Sequence, residues 1–230
     1  MAAEHFTGMD INFEQWDKII RKGIAPFDMI LNEPQIRLFY RHAEMLVQWN
    51  QKTNLTAITD PKEIAIKHFI DSLAPMPFLK PMKHVLDVGS GGGFPGLPLK
   101  VLCPPMELTL LDAVRKKTSF MQQVIRTLKL KGTRTIHGRL EKLSHPAKHM
   151  LFDTIVCRAF SDLSFIFNNA WPLLSREGKI VVWKGRVPAK EIMDLRKLIG
   201  KEPLFLEMKE HTYRLTIFDA ARTIIIIKKK

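Results

Sequence analysis

Acid and glycine alternate in the stretch "HVLDVGSGGGFPGLPLKVL" that begins at His84, where Asp87, Gly89, Gly91 and Gly93 make the pattern D-x-G-x-G-x-G. Glycine permits the positive backbone angles of a tight turn and lets a ligand approach the main chain closely. The helix start that follows offers unpaired N–H groups. Two cofactor chemistries use such a loop. A dinucleotide calls for G-x-G-x-x-G with its pyrophosphate on the helix start. Here the third glycine position is Phe94, and an acid ahead of the first glycine would repel a pyrophosphate. The same acid suits a cofactor bearing an ammonium and a sulfonium, S-adenosylmethionine. The glycines clear room for its amino-acid moiety, and Asp87 meets its positive end directly or through water. Asp112 closes the next apolar run, "LTLLDA", about 20 residues beyond the loop, where a ribose-binding carboxylate belongs. Gly89, Gly91 and Asp112 are therefore expected at the cofactor.

The elements that must position these residues follow from periodicity. From His84 onward, short apolar runs alternate with amphipathic ones. "HVLDVG", "MELTLLDA", "TRTIHG", "FDTIVCRA" and "GKIVVWKG" read as strands, and "GFPGLPLKVL", "RKKTSFMQQVIRTLKL", "LSFIFNNAWPLL" and "PAKEIMDLRKLI" as the helices between them. In the second helix Phe120, Val124 and Leu128 with Met121 and Ile125 face one side. "LFLEMKEH" and "RTIIIIKK" have no helix between them and must pair as a hairpin. The expected fold is α/β and Rossmann-like: a mostly parallel seven-stranded sheet with an antiparallel edge hairpin. Ahead of it, "PQIRLFYRHAEMLVQWN" places Ile36, Phe39, Tyr40, Ala43, Leu46 and Trp49 on one helical face. In "TDPKEIAIKHFIDSLAP", Asp60 is an N-cap, Pro61 the first helical residue and Glu63 the capping partner. Residues 1–80 are thus a helical extension packed on a core of residues 81–230.

The chain has 230 residues, 46% hydrophobic and 26% charged, with 36 Lys and Arg against 23 Asp and Glu, a net charge of +13. That surplus favours a polyanionic partner. The basic groups in "VRKKTSF", "KLKGTRTIHGR" and "KGR" (Lys184, Arg186) fit phosphate contacts, or a solvated helix face in the case of "RKK". Cys103 and Cys157 lie in apolar contexts and read as buried free thiols, with no spacing for a metal or a disulfide framework. The start of the chain lacks signal-peptide character, and no apolar run is long enough to span a bilayer. A cytoplasmic monomer without metal or membrane is expected.

With these residues in place, the chain resembles the RsmG (GidB) methyltransferases. The likeness runs from "WNQKTNLTAI" through "KHFIDSL", "LDVGSGGGFPGLPL", "LLDAVRKKTSFM", "GRLEKL" and "FDTIVCRAFSDLS" to "VVWKG". It implies transfer of a methyl group from S-adenosylmethionine to N7 of a guanosine in 16S, small-subunit, ribosomal RNA. It also implies cofactor contacts at Gly89, Phe94, Leu140, Glu141 and Arg158. Leu140 and Glu141 follow the third strand, where an adenine would lie, though Leu140 also reads as plain core. Arg158 ends the fourth strand, beside the expected transfer site, and equally suits an ion pair with an acid such as Asp87. N7 carries an in-plane lone pair and needs no deprotonation, so no general base, and hence no catalytic acid or base residue, is named. The target base must be single-stranded or turned out of its stack. Asn54, His68, Asp71 and Lys184, with Thr56, Ser72 and Phe160, are the candidates to hold it. Each also has a packing role open to it: a turn for Asn54, core packing for His68, an ion pair for Asp71. The alternatives are a methyltransferase for another RNA or a protein, and a non-catalytic RNA-binding protein with this fold.

Overall fold

The computed structural model describes residues 9–79, 81–143, 151–158, 162–185, 187–200, 206–215 and 220–229. Seven strands form one sheet: β1 (His84–Val88), β2 (Glu107–Asp112), β3 (Thr133–His137), β4 (Phe152–Arg158), β5 (Leu174–Lys184), β6 (Leu206–Leu215) and β7 (Ala220–Lys229), in the order β3-β2-β1-β4-β5-β7-β6. β1 to β5 pair in parallel; β7 runs antiparallel between β5 and β6. The chain order reverses between β1 and β4, which places a ligand crevice at their carboxyl ends. Register aligns Val88 with Leu111 on one side and with Cys157 on the other. The residues that follow these strands' ends therefore share one rim: Gly89 after β1, Asp112 closing β2, Arg158 closing β4.

Alternation along the strands sends side chains to two apolar layers. Val85, Val156, Val181 and Ile224 face one layer, and Leu86, Val88, Ile155, Cys157 and Ile225 the other. The second layer is closed by Leu163–Ala170 and Ala189–Ile199, through Leu163, Ile166, Phe167 and Leu195. The first is closed by α4 (Gly96–Leu102) and α5 (Arg115–Thr127), and by the N-terminal helices α1 (Phe13–Ile24) and α2 (Glu33–Thr53). Asn12 and Asn32 open α1 and α2 with capping boxes to Gln15 and Gln35, each satisfying helix N–H groups that would otherwise be orphaned. Trp16 of α1 then meets Phe69 edge-on at 5.3 Å, a pairing that contributes about 1 kcal/mol beyond its buried area.

The helix over 61–73, here α3, starts at the predicted cap: the Asp60 side chain accepts from Glu63 N at 2.8 Å and Pro61 is the first residue, while the Glu63 side chain pairs with Lys67 at 2.8 Å instead of returning to the cap. Its middle departs from the expectation. Ala65–Ile70 is π-helical between α-helical Pro61–Ile64 and Asp71–Leu73. A π-segment has one residue more per turn than its flanks and recurs at functional sites; this one carries His68. Two smaller corrections concern β5 and Cys103. β5 begins at Leu174 rather than at Gly178, because Leu174 pairs with Phe152 across a register shift. Cys103 is only half-buried, at the end of α4, while Cys157 is buried.

Candidate functional site

The glycine loop is held from the rim. Gly89 and Ser90 donate their N–H groups to Leu111 O at 2.8 and 3.1 Å, and Gly93 and Phe94 donate to Ser90 O at 2.7 and 2.8 Å. Gly89, Gly91 and Gly93 take φ values of +69°, +58° and +90°, a region that side-chain-bearing residues rarely occupy. Asp112 organises the turn: Oδ2 accepts from Gly91 N at 2.9 Å and Oδ1 from Val114 N at 2.8 Å. A carboxylate oxygen accepts more than one bond, so Asp112 has acceptor capacity left for a diol and 6% exposure to reach one. A Cβ at Gly91 would meet only Gly89 O at 3.9 Å, so the loop presents open room there.

Asp87 lies behind the same loop and is fully buried. Its Oδ2 accepts from Gly96 N at 2.8 Å, while Oδ1 has no hydrogen-bond partner among the described residues. Burial pushes this carboxyl up to about 7, against the opposing pull of the Gly96 N–H and the Arg158 charge.

Phe94 is packed by two imidazoles. His42 of α2 stacks on it at 4.8 Å and 9°, and His68 of the π-segment at 4.6 Å and 14°. The Arg158 guanidinium is 5.4 Å from the Phe94 ring centre. Arg158 Nη2 donates to His68 Nδ1 at 3.1 Å, which leaves the imidazole proton on Nε2, 3.2 Å from Thr56 Oγ1. Arg158 Nη1 donates to Lys67 O at 2.8 Å and pairs with Asp71 Oδ2 at 3.4 Å. The ion pair considered for Arg158 is thus with Asp71, not Asp87. Asp71 Oδ1 also accepts from Tyr213 OH at 2.7 Å and pairs with Arg222 at 3.4 Å. Burial, with the nearby Arg158 charge, holds His68 well below the usual histidine range.

The remaining expected residues divide. Leu140 and Glu141 open a helical turn after β3; Leu140 is buried and Glu141 half-buried, 3.9 Å from Arg139. Asn54 is exposed in a left-handed conformation at the end of α2, the turn role foreseen for it. It also lines a cavity of about 400 Å³ with Leu46, Asn50, Gln51, Thr56 and Ile64. Lys184 is turned inward, 2.6 Å from Glu191. Phe160 and Arg186 lie outside the described residues. Arg115 and Lys116 are exposed after β2, and Arg139 after β3, at the carboxyl ends of the strands. A larger cavity, about 710 Å³, lies toward the opposite end, where Lys83, Lys179, Lys209 and Lys228 are interspersed with Asp153, Glu177 and Glu207. Sequence reasoning missed His42, Tyr213 and Arg222. His42 alone left a signal, since it falls between Phe39 and Leu46 on the apolar face of α2.

Comparison with known proteins converges on one family. The family model for rRNA small subunit methyltransferase G matches residues 35–215. A protein named ribosomal RNA small subunit methyltransferase G from Geobacter sp. (strain M21) is 39% identical over 91% of this chain and 96% of its own. One of the same name from Desulfitobacterium hafniense (strain Y51) is 38% identical over 86% and 83%. Among solved structures, a putative O-methyltransferase from Klebsiella pneumoniae superposes with a TM-score of 0.60 at 13% identity, over 94% of this chain and 98% of that one. A putative rRNA methylase from Clostridium thermocellum does so at 0.54 and 14%, over 69% and 95%. These likenesses show the Rossmann-like methyltransferase fold.

Proposed function

We propose, from the premise that this chain belongs to the rRNA small subunit methyltransferase G family, that it transfers a methyl group from S-adenosylmethionine to N7 of a guanosine in 16S ribosomal RNA. The observation that carries the reading is the glycine loop after β1, open at Gly91 and tied by its Gly91 N–H to the Asp112 carboxylate. The residues present fit the cofactor. Asp112 would hold the ribose hydroxyls, the room at Gly91 beside Gly89 would take the amino-acid end, and the buried Asp87 would favour its positive charge. Leu140 and Glu141 would flank the adenine. When bound, the cofactor supplies a methyl group on a positively charged sulfur.

Guanine N7 attacks with its own lone pair, so no side chain is assigned to take a proton. The protein's contribution is to align nucleophile and methyl carbon and to keep water out. Phe94, fixed by two imidazoles, and Arg158, fixed by Asp71, form the rigid wall for this. The bonds of His68 and Asp71 to Arg158 and Tyr213 favour holding the wall over touching the base, and the ion pair with Glu191 favours a structural role for Lys184. Asn54, exposed beside the cavity of about 400 Å³, is assigned to the target nucleotide. Arg115, Lys116 and Arg139 are assigned to phosphates. The reading includes a cytoplasmic monomer whose segment 1–80 packs on the methyltransferase core.

The test is a map of methylated nucleotides in small-subunit ribosomal RNA from cells with and without the gene. Loss of one 7-methylguanosine is expected, and an unchanged map contradicts the reading.

A further inference from the structure

We propose that His42, from the N-terminal helix α2, is a positioning residue of the cofactor loop, acting through the hydrogen bond it donates to the Gly92 carbonyl. The inference rests on reading that loop as the cofactor seat. Three backbone atoms on two peptide units, Ser90–Gly91 and Gly92–Gly93, fix the path of the loop, and each has its own anchor. Gly91 N is held by Asp112 of β2, Gly93 N by Ser90 O, and Gly92 O by His42 Nε2 at 2.8 Å. Two of these anchors belong to the sheet and the loop itself. The third comes from the helical extension, 50 residues away in sequence.

The chemistry of the contact is determined. A carbonyl oxygen only accepts, so Nε2 carries the proton and donates. The ring is 2% exposed, and burial depresses its pKa to about 4, so it stays neutral and keeps one tautomer at ordinary pH. Its plane lies 9° from that of Phe94, so the same side chain fixes the loop's backbone and its aromatic residue. Leu46, one turn further along α2, closes the approach: a Cβ at Gly92 would be 3.1 Å from its Cδ1. A core histidine that merely filled space would need neither the bond to a loop carbonyl nor a helix packed this tightly on a glycine.

Two variants of the full chain separate donation from packing. His42→Phe keeps a stacked ring and loses the donor; His42→Gln loses the ring and keeps an N–H donor at similar reach. The probe is S-adenosylhomocysteine, titrated calorimetrically, alongside hydrogen exchange of the Gly91 to Gly93 amides in the free protein. His42→Phe is expected to bind about tenfold more weakly, one good hydrogen bond's worth, with faster exchange at those amides and unchanged near-UV dichroism. His42→Gln is expected to recover most of both. Wild-type affinity and exchange in His42→Phe, or equal impairment of the two variants, overturns the proposal. If the wild type itself does not bind the probe, the cofactor reading falls, and the exchange rates in the free protein still decide whether His42 anchors the loop.

Discussion

Replacing Asp87 with asparagine isolates the buried carboxyl behind the loop. In the folded protein this group is pushed from 3.8 up to about 7, chiefly by burial. A carboxyl raised on folding contributes stability below its unfolded value and loses it as pH rises through the folded value. At about 1.4 kcal/mol per pH unit, the loss is about 4 kcal/mol by pH 8, of which about 2 to 3 kcal/mol falls between pH 5 and 8. The asparagine side chain would not titrate. Its amide oxygen can take the Gly96 N–H that Oδ2 now accepts, leaving a pH-independent offset. Urea unfolding of the free wild type and Asp87→Asn across pH 5 to 8 should therefore give curves that diverge, with the variant gaining about 2 to 3 kcal/mol relative to wild type as pH rises. Parallel curves would refute the claim that burial raises this carboxyl into the neutral range. The cofactor gives the converse test. A cation at the loop favours the ionised carboxyl, so binding at pH 7 releases up to about half a proton. Wild-type titrations with S-adenosylmethionine in buffers of different ionisation enthalpy should register that release, and Asp87→Asn should not.

Three further outcomes follow from other parts of the site. The His42 ring, depressed to about 4 by burial, should show no imidazole titration by NMR above about pH 5; because its folded value lies below 6.5, the stability it contributes is present above pH 6.5 and falls by about 3 kcal/mol as pH drops to 4. A ring titrating near 6.5 contradicts this. In Gly96→Ala a Cβ would meet Asp87 Oδ2 and Leu110 Cδ2 at 2.6 Å each, so denaturant unfolding should show a loss of about 1 to 3 kcal/mol, and an unchanged midpoint would show that the packing there is loose. Replacing Arg115, Lys116 and Lys117 together with alanine should weaken binding to ribosomal RNA and reduce the slope of log affinity against log salt by about 2; an unaltered slope removes these residues from the RNA interface.

The parts of the fold that depend on local pattern were legible in the sequence. Apolar runs ending at Val88, Asp112 and Arg158 announced the strands, and their order gave the rim that gathers Gly89, Asp112 and Arg158. The Asp60–Pro61 start of α3 was legible for the same reason, since a capping motif is written within four residues. What escaped depends on long-range contact. The polar residues Ser175, Arg176 and Glu177 read as loop, yet the strand reaches back to Leu174 because Phe152 lies opposite. Nothing in "AIKHFI" distinguishes a π-turn from an α-turn; the wider turn accompanies bonds from Arg158, some 90 residues away, to His68. Asp71 was foreseen beside a basic partner, but its bond to Tyr213 comes from the edge hairpin, 142 residues downstream. His42 was readable as buried from its place between Phe39 and Leu46, whereas its bond to Gly92 required the helix and the loop to be seen together.

The most direct measurement uses the purified protein, small-subunit ribosomal RNA from cells lacking the gene and methyl-labelled S-adenosylmethionine, followed by chemical strand cleavage selective for 7-methylguanosine. Label entering the RNA together with cleavage at a single guanosine is the expected result. Label without cleavage would place the methyl group on another atom, and no label in the RNA would contradict the assignment of the glycine loop as the seat of a methyl donor.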